Sequence, residues 1–131
     1  MNVSDRSGFV LHVAPAIVYT VLVFVGGSLE AAPAPPDVGI VPGDKLMHFV
    51  AFAGLALLIL RAVRWELPLS RFSSQLVLAT LMASALGGLL ELWQAALPHR
   101  DADVFDWVSD TLGALCVAGA LFVARSRRPV E

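Results

Sequence analysis

The sequence has little charge and almost no cysteine. Only 15% of its 131 residues are charged, against roughly 25% in typical soluble proteins, and the formal net charge at pH 7 is −2. With no strongly basic surface in prospect, nucleic acid is not an expected partner. The single cysteine, Cys116, excludes a disulfide scaffold and a zinc site built from paired cysteines.

Apolar residues are present in excess. They make up 57% of the chain, above the roughly 45–50% of typical soluble domains, and the mean hydropathy is +0.75. A hydrocarbon core of ~30 Å needs about 20 largely apolar residues in one helix. Four stretches meet or nearly meet this length: residues 9–29, 45–63, 75–97 and 104–124. The predicted fold is an all-α, four-helix transmembrane bundle that forms a single domain over residues 1–131.

Basic residues set the expected orientation of the bundle, because lysine and arginine concentrate on the cytoplasmic side of membrane proteins. If the N-terminus is inside, only Lys45 and Arg100 lie outside, and both termini are cytoplasmic. A cleaved signal peptide is the alternative for the first stretch, since Ala31 and Ala32 follow it, but the run is long for a signal core and an intact helix is expected. The inside residues are then Arg6, Arg61, Arg64, Arg71, Arg125, Arg127 and Arg128.

Polar side chains gather at the outer ends of the last three spans. Several members on each span are three, four or seven residues apart and therefore share a helical face. Glu91 lies six residues before Leu97 and Asp110 six after Val104, so antiparallel neighbours would hold both carboxylates about 9 Å inside the helix ends. The members are Asp44, Lys45 and His48, then Glu91, Gln94 and Arg100, then Asp103, Asp106 and Asp110.

Two interpretations of this group compete. An ionised side chain at the centre of a membrane costs at least ~2.5–3.5 kcal/mol, so even the shallower Glu91 and Asp110 are expected to face the interior of the bundle. A structural network that locks the helices is the simpler interpretation. Interhelical hydrogen bonds are worth only ~0.6 kcal/mol on average, however, which is a weak reason to place so many ionisable groups together. A functional pocket is therefore favoured over a purely structural network.

The order and spacing of these residues resemble a known family. The chain reads Asp44-Lys45-x-x-His48-Phe49, then Gly87-x-x-x-Glu91-x-x-Gln94-x-x-x-Pro98-x-Arg100, then Asp106-x-x-x-Asp110-x-x-Gly113. In residues 44–113 it resembles the VanZ-like family of small bacterial membrane proteins. The family is named after a protein linked to low-level teicoplanin resistance, so the resemblance implies a cell-envelope role in the bacterial inner (cytoplasmic) membrane but supplies no reaction. The chain departs from the family in having Asp110 where asparagine is usual, and in lacking the usual serine between Arg100 and Asp106.

The first functional hypothesis is a protein that binds, and in an enzymatic version modifies, a membrane lipid or lipid-linked envelope molecule at this outer pocket. Glu91 with Asp110 or His48 is the candidate catalytic pair, since a partly buried carboxylate can be tuned to transfer protons. Arg100 and Lys45 are candidates to bind a phosphate or carboxylate. No serine or cysteine nucleophile with a base partner is evident there, which disfavours covalent acyl catalysis. The remaining candidate ligand-binding residues are Asp44, Gln94 and Asp106.

Two alternatives stay open. The chain is also consistent with an accessory subunit of a larger membrane complex. Its first span carries almost no motif residues, which leaves a long apolar surface that a partner subunit could cover. A metal-dependent lipid phosphotransferase is the third hypothesis, with the aspartates of the last span holding the ion and with His48 and His99 as further candidate ligands. No ligand spacing here is diagnostic, so the sequence assigns no metal ligand and no cofactor.

Overall fold

The computed structural model describes residues 3–29, 35–67 and 71–127, with side chains from Arg6 onward. Four segments are long and apolar enough to cross a membrane, which confirms the predicted all-α transmembrane fold of a multi-pass membrane protein. Arg128, Ala31 and Ala32 lie outside the described residues. The helices are α1 (Val3–His12), α2 (Ala14–Ser28), α3 (Gly43–Glu66), α4 (Phe72–Ala95) and α5 (Val104–Ser126), of which α1 and α2 together supply the first span.

The first span is interrupted between α1 and α2 at Val13. Pro15 stands at the start of α2, where it has no N–H to donate to the carbonyl of Leu11. The Val13 N–H still donates to Phe9 O at 2.9 Å, so the interruption is confined to a single turn. The span continues across the break as one apolar segment from Arg6 to Ser28.

The fourth helix, α4, ends two residues earlier than predicted, at Ala95 rather than Leu97. Pro98 is the physical reason, because a proline ring clashes with the preceding turn and disfavours helical backbone at the residue before it. The chain leaves the helix through a tight turn in which Leu97 N donates to Gln94 O at 2.9 Å. Glu91 consequently lies about 6 Å from its helix end rather than the predicted 9 Å.

The core lies among α3, α4 and α5. Gly113 lets the α3 and α5 backbones touch, because a Cβ at this position would overlap the carbonyl oxygen of Phe49 and lie 3.1 Å from Ala53 N. Small residues serve this purpose in membranes, where lipid is as apolar as the helices and close packing drives their association. The largest fully buried apolar side chains of the described residues are those of Phe52, Leu55 and Leu90.

Antiparallel packing brings four helix ends together. The N-terminal ends of α3 and α5 meet the C-terminal ends of α2 and α4, as contacts from Lys45 to Asp106 and from Gln94 to Gly27 demonstrate. The two ends of the bundle differ in charge. We call the end where these four helix ends meet the acidic end, after its carboxylates Asp44, Glu91, Asp103, Asp106 and Asp110. We call the opposite end the arginine end, after Arg61, Arg64, Arg71, Arg125 and Arg127.

Candidate functional site

Lys45 joins the first turn of α3 to the first turn of α5. Its ammonium donates to Asp106 Oδ1 at 2.6 Å and to Asp103 Oδ2, and it lies 3.3 Å from Asp44 Oδ2. The Lys45 side chain is 18% exposed and that of Asp106 15%, whereas those of Asp44 and Asp103 are 46% and 40% exposed. The cluster is therefore open to its surroundings at Asp44 and Asp103 and becomes more enclosed toward Asp106.

Asp103 also caps α5. Its Oδ1 accepts the N–H of Phe105 at 2.8 Å, as expected of an aspartate at a helix N-terminus. The hydrogen bond from Lys45, together with the Phe105 N–H, holds the pKa of Asp103 below its ordinary value of 3.8. A lowered pKa in the folded state stabilises the fold above the ordinary value, and this contribution is lost as the pH falls through the lowered one.

His48 connects α3 to the buried part of the cluster. Its Nδ1 lies 2.9 Å from Asp110 Oδ1, and its Nε2 lies 3.7 Å from Asp106 Oδ2. Asp110 is fully buried, and its second oxygen, Oδ2, has no hydrogen-bond partner among the described residues. Gly87 of α4 makes room for it, since a Cβ there would lie 2.7 Å from that oxygen. The sequence did not single out Gly87 for this role, although its place one turn before Glu91 on α4 was visible.

Glu91 approaches the same group from α4. It is 7% exposed, and its Oε2 accepts the backbone N–H of Asp103 at 2.7 Å. Its other oxygen, Oε1, is buried and has no partner within the described ranges. Glu91, His48 and Asp110 each offer one potential metal-ligating atom, and these atoms lie within 4.8 Å of one another. The structure thus brings the three candidate catalytic residues together, from three different helices.

Gln94 and Arg100 lie apart from this triad. Gln94 is buried, and its Nε2 donates to Gly27 O of α2 at 2.9 Å, so that it fastens the first span to α4. Arg100 lies in the connection between α4 and α5, and its buried Nε has no hydrogen-bond partner in the part of the chain that the structure describes. His99, a candidate metal ligand in the sequence, instead has its Nε2 3.0 Å from Ser28 O.

Two buried carboxylates beside an imidazole have two chemical capacities. They can exchange a proton, or they can hold a cation. Comparisons of the chain with protein-family models, with curated proteins and with solved structures found no match. The function is therefore argued from the geometry of this cluster and from the sequence motifs.

Proposed function

We propose that this chain is a VanZ-like protein of the bacterial inner membrane that binds a lipid-linked or other envelope ligand at its acidic end and contributes to glycopeptide (teicoplanin) resistance. The concentration of arginine at the opposite end supports a cytoplasmic location for both termini and an outer location for the acidic end. The ligand would then reach the cluster from the outer leaflet or from the aqueous phase beyond it.

The observation that carries the proposal is a set of buried polar atoms without partners among the described residues: Glu91 Oε1, Asp110 Oδ2 and Arg100 Nε. A network whose purpose is structural satisfies its buried members, because an unpaired polar atom costs roughly 1–3 kcal/mol. Three unsatisfied atoms at the end of the bundle that carries the motif residues favour a site that is completed by a bound molecule.

Arg100 is the cation best placed to receive an anionic group. Lys45 already contacts three carboxylates, so a phosphate at Lys45 would have to compete with Asp103 and Asp106. Arg100 has no such engagement with the described residues, and a guanidinium binds phosphate or carboxylate through two parallel hydrogen bonds. We therefore propose that Arg100 binds the anionic group of the ligand and that Lys45 holds the ends of α3 and α5 in position.

For a chemical step, the geometry favours proton transfer at Glu91. His48 Nδ1 lies 2.9 Å from Asp110 Oδ1, and one carboxylate oxygen of Glu91 lies within 4.8 Å of a ligand atom of each. Glu91 also has an oxygen, Oε1, without a partner among the described residues. A positioned acid and base of this kind accelerate a reaction roughly 10²–10⁴-fold. Turnover of the ligand would then depend on Glu91, while its binding would depend mainly on Arg100.

Resistance of a teicoplanin-sensitive bacterial host that expresses the chain tests this proposal. The wild-type chain should raise the minimum inhibitory concentration, and Arg100→Ala should abolish most of that gain, because losing a charge-assisted contact weakens binding by roughly tenfold or more. Glu91→Gln should have a comparable effect. Asp101→Asn and Arg127→Ala are the matched controls, since both residues are exposed. Full resistance in Arg100→Ala and Glu91→Gln, at wild-type levels in the membrane, would contradict the proposal.

A further inference from the structure

The triad of His48, Glu91 and Asp110 has the composition and the proximity of a metal site. We infer that these three side chains bind a first-row divalent cation of the zinc or manganese type between α3, α4 and α5. The inference rests on the proposed function in treating the acidic end as a binding site, and it adds an ion to that site. One imidazole with two carboxylates is a donor set that suits such ions.

Proximity is the first observation. One potential ligand atom from each residue lies within 4.8 Å of the other two, and His48 Nδ1 is only 2.9 Å from Asp110 Oδ1. Ligands bound to one tetrahedral ion at about 2.0–2.1 Å lie roughly 3.3 Å from each other. The His48–Asp110 edge is already that short, and the Glu91 oxygen, at no more than 4.8 Å from the other two atoms, has to approach by no more than about 1.5 Å to complete the set.

The unpartnered oxygens are the second, independent observation. Asp110 is fully buried, Glu91 is 7% exposed, and each has an oxygen without a hydrogen-bond donor among the described residues. Asp110 Oδ2 is directed toward Gly87 of α4, the helix that also carries Glu91 one turn further on. Asp110 Oδ2 therefore lies between α5 and α4, and a cation bound by both carboxylates would give each of them the partner it lacks.

The balance of charge points the same way. Lys45 forms its ion pairs with Asp44, Asp103 and Asp106, and none with the triad. Glu91 receives a backbone N–H but no ion pair from the described part of the chain. Apart from the ionisable His48 itself, the two carboxylates of the triad have no cationic partner among the described residues, and a divalent ion would supply one.

Asp106 lies beside the second ring nitrogen of His48, at a distance somewhat longer than a hydrogen bond. Metal-bound histidines usually donate their second ring N–H to a carboxylate, which fixes the ring orientation. His48 Nδ1 faces Asp110, its Nε2 lies 3.7 Å from Asp106 Oδ2, and Lys45 holds Asp106 in turn at 2.6 Å. The chain from Lys45 through Asp106 to His48 would orient the imidazole toward the ion.

Direct metal binding tests the inference. The full chain, purified in detergent without a histidine tag and stripped with a chelator, is titrated with ZnCl₂ and with MnCl₂ by calorimetry, and its thermal midpoint is followed in parallel. We expect saturable binding of one ion per chain and a rise in the midpoint, because an ion that binds only the folded state stabilises it. Asp110→Asn and Glu91→Gln, which keep the side-chain shapes, should each weaken binding by at least about tenfold, as even loss of an outer-sphere partner does.

The control is His99→Gln, which removes an exposed histidine at the same end of the bundle and should leave the affinity unchanged. Equal binding by the wild type and both triad variants would overturn the inference, as would absence of saturable binding to the wild type. A failed titration with resistance still sensitive to Arg100→Ala would remove the metal and leave the proposed function intact. Intact metal binding in a chain that confers no resistance would keep the metal site and remove the proposed function.

Discussion

The charged side chains at the two ends of the bundle differ in whether they form ion pairs within the protein. At the acidic end, Asp106 and Asp110 lie within the last span, have little or no exposed surface, and are bridged across helices to Lys45 and His48. At the arginine end, no guanidinium forms an ion pair with a carboxylate in the described residues. Arg64 and Arg125 instead lie over the ring of Phe72, at 5.6 and 4.7 Å from its centroid.

Side-chain length accounts for the difference. An arginine near a helix end can extend its head group to the interface while its methylenes cover apolar surface, so it needs no protein partner. A carboxylate such as Asp110, six residues into α5, cannot reach water and must find its partner inside the bundle. The arginine end therefore needs no particular partner within the protein, whereas the acidic end requires a specific arrangement of helices.

Removing the central cation of the acidic end should produce the largest effect. Lys45→Met leaves Asp106 and its neighbours without compensation, and we expect the free energy of unfolding to fall by roughly 2–3 kcal/mol. This is less than the ~3–5 kcal/mol for a fully buried pair, because Asp44 and Asp103 are partly exposed. Equilibrium unfolding in bicelles measures this loss of free energy, and Arg71→Met at the arginine end is the matched control.

The Arg71→Met control should change the free energy of unfolding by no more than about 0.5 kcal/mol, since the side chain is exposed. Adding Asp106→Asn to Lys45→Met should restore part of the loss, because it removes one of the carboxylates left unpaired. Similar losses in Lys45→Met and Arg71→Met would erase the contrast between the two ends.

The close contact of α3 and α5 near the acidic end should be the next most sensitive feature. Gly113→Ala places a methyl group against backbone atoms of Phe49 and Ala53, which cannot move aside cheaply. We expect a loss of roughly 1–3 kcal/mol in the free energy of unfolding. Gly119→Ala, six residues further along α5, meets no atom within 4 Å and should be neutral or slightly stabilising. Equal tolerance at both positions would mean that the two helices are not closely packed beside the site.

Much of this arrangement follows from spacing and topology. The four-residue interval between Asp44 and His48, and the antiparallel hairpin of α4 and α5, predict that these side chains converge at one end. The choice of partners does not follow. Spacing along one helix cannot reveal that Gln94 turns toward Gly27 on α2, because the rotation of the first span about its own axis depends on packing between helices. Nor can it show that Lys45 is engaged by three aspartates, which is a consequence of how α3 and α5 approach each other.

The smallest effect is expected at the arginine end, where a cavity of about 420 Å³ lies beside Arg64, Phe72 and Arg125. Arg125→Gln removes a cation–π contact worth ~0.5–1 kcal/mol and an attraction to anionic lipid of about 1 kcal/mol. The loss of stability should therefore be larger in nanodiscs of anionic lipid than in zwitterionic ones, and it should shrink as salt rises. Arg127→Gln, an exposed arginine two residues away with no described ring contact, should show only the lipid-dependent part. A loss in Arg125→Gln that matches that of Lys45→Met, or that ignores lipid charge, would show that this end also relies on specific contacts within the protein.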